Sequence, residues 1–300
     1  MATAALVAGC ASRRPGEVAD DGSVTVRHVF GETRIPGPPH RVVSAGLTGQ
    51  DDLLAVGVVP IAVTDWFGGE PYGVWPWAAP KLGGAEPVVL SLADGIAVNE
   101  IRALTPDLIV ATNAGLDRET YNALSQIAPT VAQSGSYAFF EPWQQQATTI
   151  GQAVFKHDEM QRLITDVEQR FTDVADAHPE FAGKRVLLAE GRLEHDGVRP
   201  ASPAWRTDFL TRMGFAVADA EGPIGRDRLG AVLDGVDVAV WTTESDEERA
   251  ALLADPEIAK LGERNVFTDK ELAGAIAFAS PLSYPVVADR LPGLIAAALA

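Results

Sequence analysis

Between Asp158 and Ala177 the apolar residues Met160, Leu163, Ile164, Val167, Phe171 and Val174 recur every three or four positions, the spacing of one helix face. Asp158 followed by Gln161 has the spacing of a helix-capping pair, and His178-Pro179 stops the pattern. Such a helix is about 30 Å long, close to the diameter of a small domain. Similar patterns flank it on both sides, which makes it a candidate rigid connector between two lobes. A buried core helix of a single domain is the alternative.

Before this helix, Val24 to Phe30 alternates like a strand and turns at Gly31-Glu32 into Thr33-Arg34-Ile35, a hairpin closed by the Pro36–Pro39 cluster. Arg41-Val42-Val43-Ser44 predicts a short strand, Gln50 to Val56 a helix and Val58 to Val63 a second strand. Val98 to Leu104 predicts a helix that feeds Leu108-Ile109-Val110-Ala111 through Thr105-Pro106-Asp107. A helix over Arg118 to Ile127, an edge strand at Thr130-Val131-Ala132 and a helix through Trp143, Ala147, Ile150 and Val154 complete this half.

Beyond the long helix the plan restarts. Lys184 to Ala189 answers Arg41 to Ala45. Asp208-Phe209-Leu210 through Val217 answers Asp52-Leu53-Leu54 through Val59. Leu233 to Val240 answers Leu104 to Val110. Three elements in the same order, with short apolar strands alternating with helices, predict parallel sheets covered on both faces. The fold class is therefore α/β, two Rossmann-like lobes joined by one long helix with a ligand cleft between them. The expected boundaries are a signal remnant, lipidation box and tether over 1–23, a first lobe over 24–157, the helix over 158–178 and a second lobe over 179–300.

Composition narrows the function. With 47% hydrophobic and 22% charged residues, 300 residues can bury sizeable cores. A net charge of −17 leaves no basic stripe for neutralising phosphates, which argues against a nucleic-acid partner. No apolar run reaches transmembrane length. The lone cysteine, Cys10, follows Leu6-Val7-Ala8-Gly9, an arrangement like a bacterial lipoprotein cleavage box, and a polar, turn-rich stretch to Ser23 follows it. Only nine residues precede Cys10, fewer than a full signal peptide has. A chance Gly-Cys near a terminus is the other reading.

The paired segments Arg41-Val42-Val43, Asp52 to Val63 and Pro106-Asp107-Leu108-Ile109-Val110, with one long helix, resemble the siderophore- and cobalamin-binding proteins of bacterial ABC importers. Within that class the chain is most similar to mycobacterial iron-siderophore or haem binding lipoproteins. The resemblance covers nearly all of Val24 to Leu299 and is looser in the second lobe. It implies a lipid-anchored, extracytoplasmic protein on the periplasmic face of the membrane. Such a protein carries a ferric siderophore or haem to permease subunits and performs no covalent chemistry. It holds no covalent cofactor, and iron enters only within the bound chelate. Hydroxamates, mycobactin-like chelates, haem and corrinoids all remain open.

Ligands of open parallel sheets bind outside the carboxyl ends of the strands. That rule selects Ser44 to Thr48, Asp65-Trp66-Phe67, Thr112-Asn113, Glu190-Gly191-Arg192 and Trp241-Thr242-Thr243. Trp66, Phe67, Tyr72, Trp75 and Trp77 crowd a glycine- and proline-rich stretch, able to form an apolar wall for a chelated ligand. Trp66 and Phe67 are expected to face ligand, whereas Trp75 and Trp77 suit a structural staple equally well. Arg192, Arg199 and Arg206 stand near Trp205 in an acidic chain, and guanidinium groups bind anions through paired hydrogen bonds. Candidate ligand-binding residues are thus Thr48, Trp66, Phe67, Tyr137, Arg192, Trp205, Arg206, Trp241 and Tyr284, with Phe139 and Phe140 weaker rim candidates.

Enzymatic signals are poor. No Walker, Gly-x-Gly-x-x-Gly or Gly-x-Ser-x-Gly motif is present, and His28, His40, His157, His178 and His195 lack metal-ligand spacing. Two-lobed nucleotide-sugar glycosyltransferases share the architecture and form the alternative from another class. The family resemblance further implies one acidic docking residue on each lobe for the permease, which falls on Glu100 and Asp227. Acids at a helix start are also favoured by the helix dipole alone.

Overall fold

The computed structural model of the protein describes residues 14, 16–194, 197–218 and 222–300. The expected lipidation site, Cys10, lies outside the described residues, as does His195. The chain opens with an antiparallel hairpin, β1 (Val24–His28) and β2 (Gly31–Ile35), in which Val24 faces Ile35. Its alternating apolar positions Val24, Val26 and Ile35 are buried, as strand periodicity demands.

The first lobe follows as β3 (Val42–Ser44), α1 (Gly49–Ala55), β4 (Ala62–Thr64), β5 (Val88–Leu90), α2 (Val98–Ala103), β6 (Leu108–Ala111), α3 (Arg118–Ser125), β7 (Thr130–Ala132) and α4 (Trp143–Ala153). Its five strands are all parallel in the order β5-β4-β3-β6-β7, with β7 at an edge. Next comes α5 (His157–Ala177), 21 residues long, with Met160, Ile164, Val167 and Phe171 buried. The expected Asp158–Gln161 cap does not form. The helix begins at His157 with Lys156 in the cap position and no capping side chain, and Gln161 Nε2 instead donates to Thr148 Oγ1 at 2.8 Å.

The second lobe comprises β8 (Arg185–Glu194), β9 (Gly197–Pro200), α6 (Asp208–Arg212), β10 (Ala216–Val217), β11 (Ile224–Gly225), α7 (Arg226–Asp234), β12 (Val238–Thr242), α8 (Asp246–Leu253), α9 (Pro256–Ala259), β13 (Asn265–Phe267), α10 (Lys270–Phe278) and α11 (Tyr284–Leu299). The strands β10, β8, β12 and β13 are parallel and reproduce the order β4-β3-β6-β7 of the first sheet. This sheet is not purely parallel as expected. β8 runs on past the core, and its second half pairs antiparallel with β9, which in turn pairs with β11.

The repeat extends to individual hydrogen bonds. In the first lobe the Asp107 carboxylate accepts the backbone N–H groups of His40 and Arg41, each at 2.8 Å. In the second, Asp237 accepts the backbone N–H of Arg185 at 2.7 Å and the Lys184 ammonium at 3.3 Å. The same aspartate therefore pins the start of each lobe's central strand pair, and those bonds hold the Asp237 carboxyl below its usual range. At the opposite end, Gly46 and Gly191 follow β3 and interrupt β8. A Cβ on Gly46 would lie 1.7 Å from the Thr112 carbonyl oxygen, and one on Gly191 would lie 2.5 Å from that of Thr242. Only glycine permits these approaches at the strand ends.

One apolar cluster runs from Val24, Leu53 and Val110 of the first lobe, through Met160, Val167 and Phe171 of α5, to Val186, Leu188 and Val240 of the second. Phe171 packs with its ring centroid 5.6 Å from Phe209 and 5.3 Å from Tyr284. Among the described residues no helix is long and apolar enough to cross a membrane.

Candidate functional site

The carboxyl ends of β4, β8 and β12 meet at a cavity of about 380 Å³ between the lobes. Trp66, Phe67 and Phe140 form its wall on the first lobe, and none of them is charged. The facing wall takes Leu188 to Arg192 from β8, Thr242 from β12, Glu244 and Glu248 beyond it, Ala201-Ser202, Arg206, and Ala273, Ile276 and Ala277 of α10. A register shift in the β8–β9 pair between Ala189 and Leu193 opens the strand where Glu190, Gly191 and Arg192 turn toward the cavity. Irregularities of this kind re-aim side chains beside binding sites.

The aromatic stretch divides into two layers. Trp75 is 1% exposed and stacks on Trp77, with centroids 4.9 Å apart and planes 10° from parallel. Both rings pack edge-on to Phe278 at the end of α10, at 5.9 and 5.7 Å. Above them Trp66 and Phe67 remain half-buried, with Trp66 5.4 Å from Phe140 and 5.6 Å from Phe278. The Lys270 ammonium of α10 ties this loop down, donating to Gly68 O at 2.6 Å and to Glu70 Oε1 at 2.7 Å.

The two cleft arginines differ in kind. Arg192 is exposed and already paired, its Nε donating to Glu248 Oε1 at 2.9 Å, which raises its pKa further. Arg206 lies deeper, its guanidinium 4.3 Å over the Phe140 ring and one Nη2 donating to Ala277 O at 3.2 Å. Among the described residues no carboxylate lies within 4.0 Å of it. Burial pushes its pKa down, yet a guanidinium stays charged at neutral pH. Glu190 acts on it only at longer range, so this partly desolvated cation, without an ion-pair partner among the described residues, is poised for an anionic or strongly accepting ligand.

Of the sequence candidates, Trp66, Phe67, Arg192 and Arg206 come together at the cavity. Trp205 and Tyr137 do not line it; their rings lie 4.4 Å apart, and Trp205 Nε1 donates to the carbonyl of the lining residue Phe140 at 2.8 Å. Three further candidates do not line this cavity, although Thr48 and Tyr284 line a small pocket that shares Phe140 and Arg206 with it. Trp241 is fully buried in the second lobe's core, donating to Asn265 Oδ1 at 2.8 Å. Both faces of β12 are buried, Val238 and Val240 in one core and Ala239 and Trp241 in the other, as in a parallel sheet covered on both sides. Tyr284 is 2% exposed among Trp143, Phe171 and Phe209, and burial pushes its phenol pKa up. Thr48 is 2% exposed and bonded to Gln146 and Asn113.

The strand ends after β3 and β6 are sealed rather than open. Asn113 Nδ2 donates to Thr48 Oγ1 at 3.1 Å, and the Phe140 N–H donates to Asn113 Oδ1 at 2.9 Å, so the segment before α4 folds over them. Glu244 sits one residue beyond the expected Trp241–Thr243 strand end, whereas Glu248 and the α10 residues reach the cavity through tertiary packing and carry no strand-end signature.

Glu100 and Asp227 are exposed in the first turns of α2 and α7. Each helix feeds a parallel strand, β6 or β12, and so returns antiparallel to it. Both carboxylates therefore stand at the cleft edge of their lobe. Among the described residues no group of three His, Cys, Asp or Glu is placed to hold a metal ion.

A family model described as periplasmic binding protein matches residues 42–262, most of both lobes. The chain belongs to the periplasmic binding protein family. This is a family of binding proteins rather than enzymes, and the glycosyltransferase alternative is not favoured. A periplasmic solute binding protein from Mycobacterium smegmatis str. MC2 155 superposes with a TM-score of 0.92 at 67% identity, over 94% of this chain and all of its own. YfiY of Bacillus subtilis (strain 168), named a probable siderophore-binding lipoprotein, is 29% identical over 66% of this chain and 59% of its own length. The Fe(3+) dicitrate-binding periplasmic protein FecB of Escherichia coli (strain K12) is 28% identical over 70% of this chain and 69% of its own. The chain thus spans under two thirds of YfiY, and 64% of a further Bacillus subtilis relative, YhfQ.

Proposed function

We propose that this periplasmic binding protein captures a ferric siderophore in the cleft between its lobes and delivers it to an ABC importer. The observation that carries the reading is Arg206, a desolvated guanidinium with no carboxylate partner, set against the half-buried Trp66, Phe67 and Phe140. Aromatic faces suit the apolar bulk of a chelate, and the guanidinium suits its oxygen-rich core. The names of YfiY and FecB fit the same ligand class. A siderophore fits better than haem, because haem iron takes an axial protein ligand and among the described residues no His, Tyr, Met or Cys lines the cavity. Titration with ferric hydroxamate, ferric citrate, haem and a corrinoid, followed by tryptophan fluorescence, tests this. Saturable quenching by an iron chelate is expected, and its absence with all four ligands rejects the reading.

Delivery and anchoring belong to the same proposal. Glu100 and Asp227, one per lobe on the cleft edge, are the docking acids for two permease subunits. Cys10 is the lipid attachment point, and two or three acyl chains, each methylene contributing about 0.8 kcal/mol, hold the protein firmly at the membrane. In detergent partitioning the native form should enter the detergent phase and the Cys10→Ala form the aqueous phase. Equal partitioning rejects the anchor.

A further inference from the structure

The cavity walls are asymmetric in charge, and that asymmetry bears on which chelate fits. The first lobe contributes Trp66, Phe67 and Phe140, with no charge at all. The second contributes three carboxylates, Glu190, Glu244 and Glu248, against two guanidiniums, Arg192 and Arg206. Glu248 is neutralised by Arg192 and also accepts the Glu244 N–H at 2.8 Å. Glu190 and Glu244 have no cation within 4.0 Å among the described residues, although both act on Arg192 at longer range and Glu190 acts on Arg206 as well. With the Arg192–Glu248 pair set aside, the described lining leaves one guanidinium, Arg206, and two carboxylates, Glu190 and Glu244, without an ion-pair partner.

We infer, resting on the siderophore reading above, that the cleft selects a ferric chelate with an uncharged hydroxamate-type coordination core and a cationic amine arm. The core's carbonyl and hydroxamate oxygens meet Arg206 and the aromatic wall, and the ammonium meets Glu190 and Glu244. A polycarboxylate chelate such as ferric citrate brings several negative charges into a cavity whose described lining offers one cation and two anions without an ion-pair partner. Like charges brought together in a partly desolvated site reject the wrong partner, and this is specificity by repulsion as much as by attraction.

The test compares the ferric complex of a linear trihydroxamate bearing a free primary amine with the same complex after N-acetylation, and with ferric citrate. The two hydroxamates share one iron core and differ by a single charge. At low ionic strength the amine form should bind about 5- to 10-fold more tightly than the acetylated form. That advantage should shrink with added salt and disappear in the Glu190→Gln, Glu244→Gln double variant, where ferric citrate should bind better than it does to the native protein. Both substitutions lie on the cavity wall outside the core, and an unchanged melting temperature checks the fold. Equal affinity for the amine and acetylated forms, or tighter binding of ferric citrate than of either, overturns the charge selection while leaving siderophore capture standing. Binding of neither hydroxamate nor citrate overturns the siderophore reading itself.

Discussion

Asp51 of α1 accepts a 2.7 Å hydrogen bond from the hydroxyl of Ser280, 229 positions later in the chain, and so joins the two lobes through a buried carboxylate. The same oxygen, Oδ2, accepts the Trp77 indole N–H at 2.8 Å, while Oδ1 has no hydrogen-bond partner. Its neighbour Asp52 is 1% exposed and accepts from Gln146 Nε2 at 2.7 Å. Burial raises both carboxyls, Asp51 to about 6, against the opposing pull of their hydrogen bonds.

This junction should make stability depend on pH. A carboxyl raised from 3.8 to about 6 on folding favours the folded state while protonated. That contribution is fully present below pH 3.8 and is lost as pH rises through about 6. The loss should amount to about 3 kcal/mol. Urea denaturation across this range should show Asp51→Asn gaining on the native protein by roughly that amount as pH rises. Parallel curves would show that Asp51 ionises in the folded protein as it does in the unfolded chain.

Binding should depend on the outer aromatic layer and the deep guanidinium. Trp66→Ala and Arg206→Ala should each weaken chelate affinity by roughly 1–3 kcal/mol, the range of central anchors. Trp241→Phe removes an indole hydrogen bond in the second lobe's core, so it should cost about 1 kcal/mol of stability and leave affinity unchanged. Fluorescence titration with a ferric hydroxamate measures all three. A large affinity loss in Trp241→Phe with native affinity in the other two would move the site elsewhere.

Gly274 of α10 offers a test in which the sign itself is informative. In an open helix, Gly→Ala stabilises by up to about 1 kcal/mol. Here the added Cβ would lie 2.5 Å from Trp75 Cη2, inside the inter-lobe aromatic packing. Gly274→Ala should therefore destabilise by about 1–3 kcal/mol in chemical denaturation. A stabilised variant would mean that Trp75 does not press on α10.

Docking is best tested in cells. A single exposed ion pair is worth about 0.2–1 kcal/mol, so reversing one charge is tolerable and reversing both is the decisive change. The Glu100→Arg, Asp227→Arg double variant should lose uptake while the purified protein keeps its ligand affinity. Normal uptake would reject the docking assignment without touching the binding site.

The local pattern of the sequence determines a good deal of this protein. The duplicated strand–helix–strand plan and the long α5 are legible, because each depends on periodicity or on neighbours a few residues away. The strand-end rule alone points to Trp66, Phe67 and Arg192. What only the tertiary structure decides is which side chains remain available once the lobes pack. Trp75 and Trp66 are nine residues apart in one loop, yet α10 buries the first and leaves the second facing the cavity. Arg192 finds Glu248 on α8, whereas Arg206 lies over a ring and donates to a carbonyl with no ion-pair partner among the described residues, so the arginine better placed by sequence is the one already satisfied. Burial and charge pairing are sums over neighbours distant in the chain, and no local pattern encodes them.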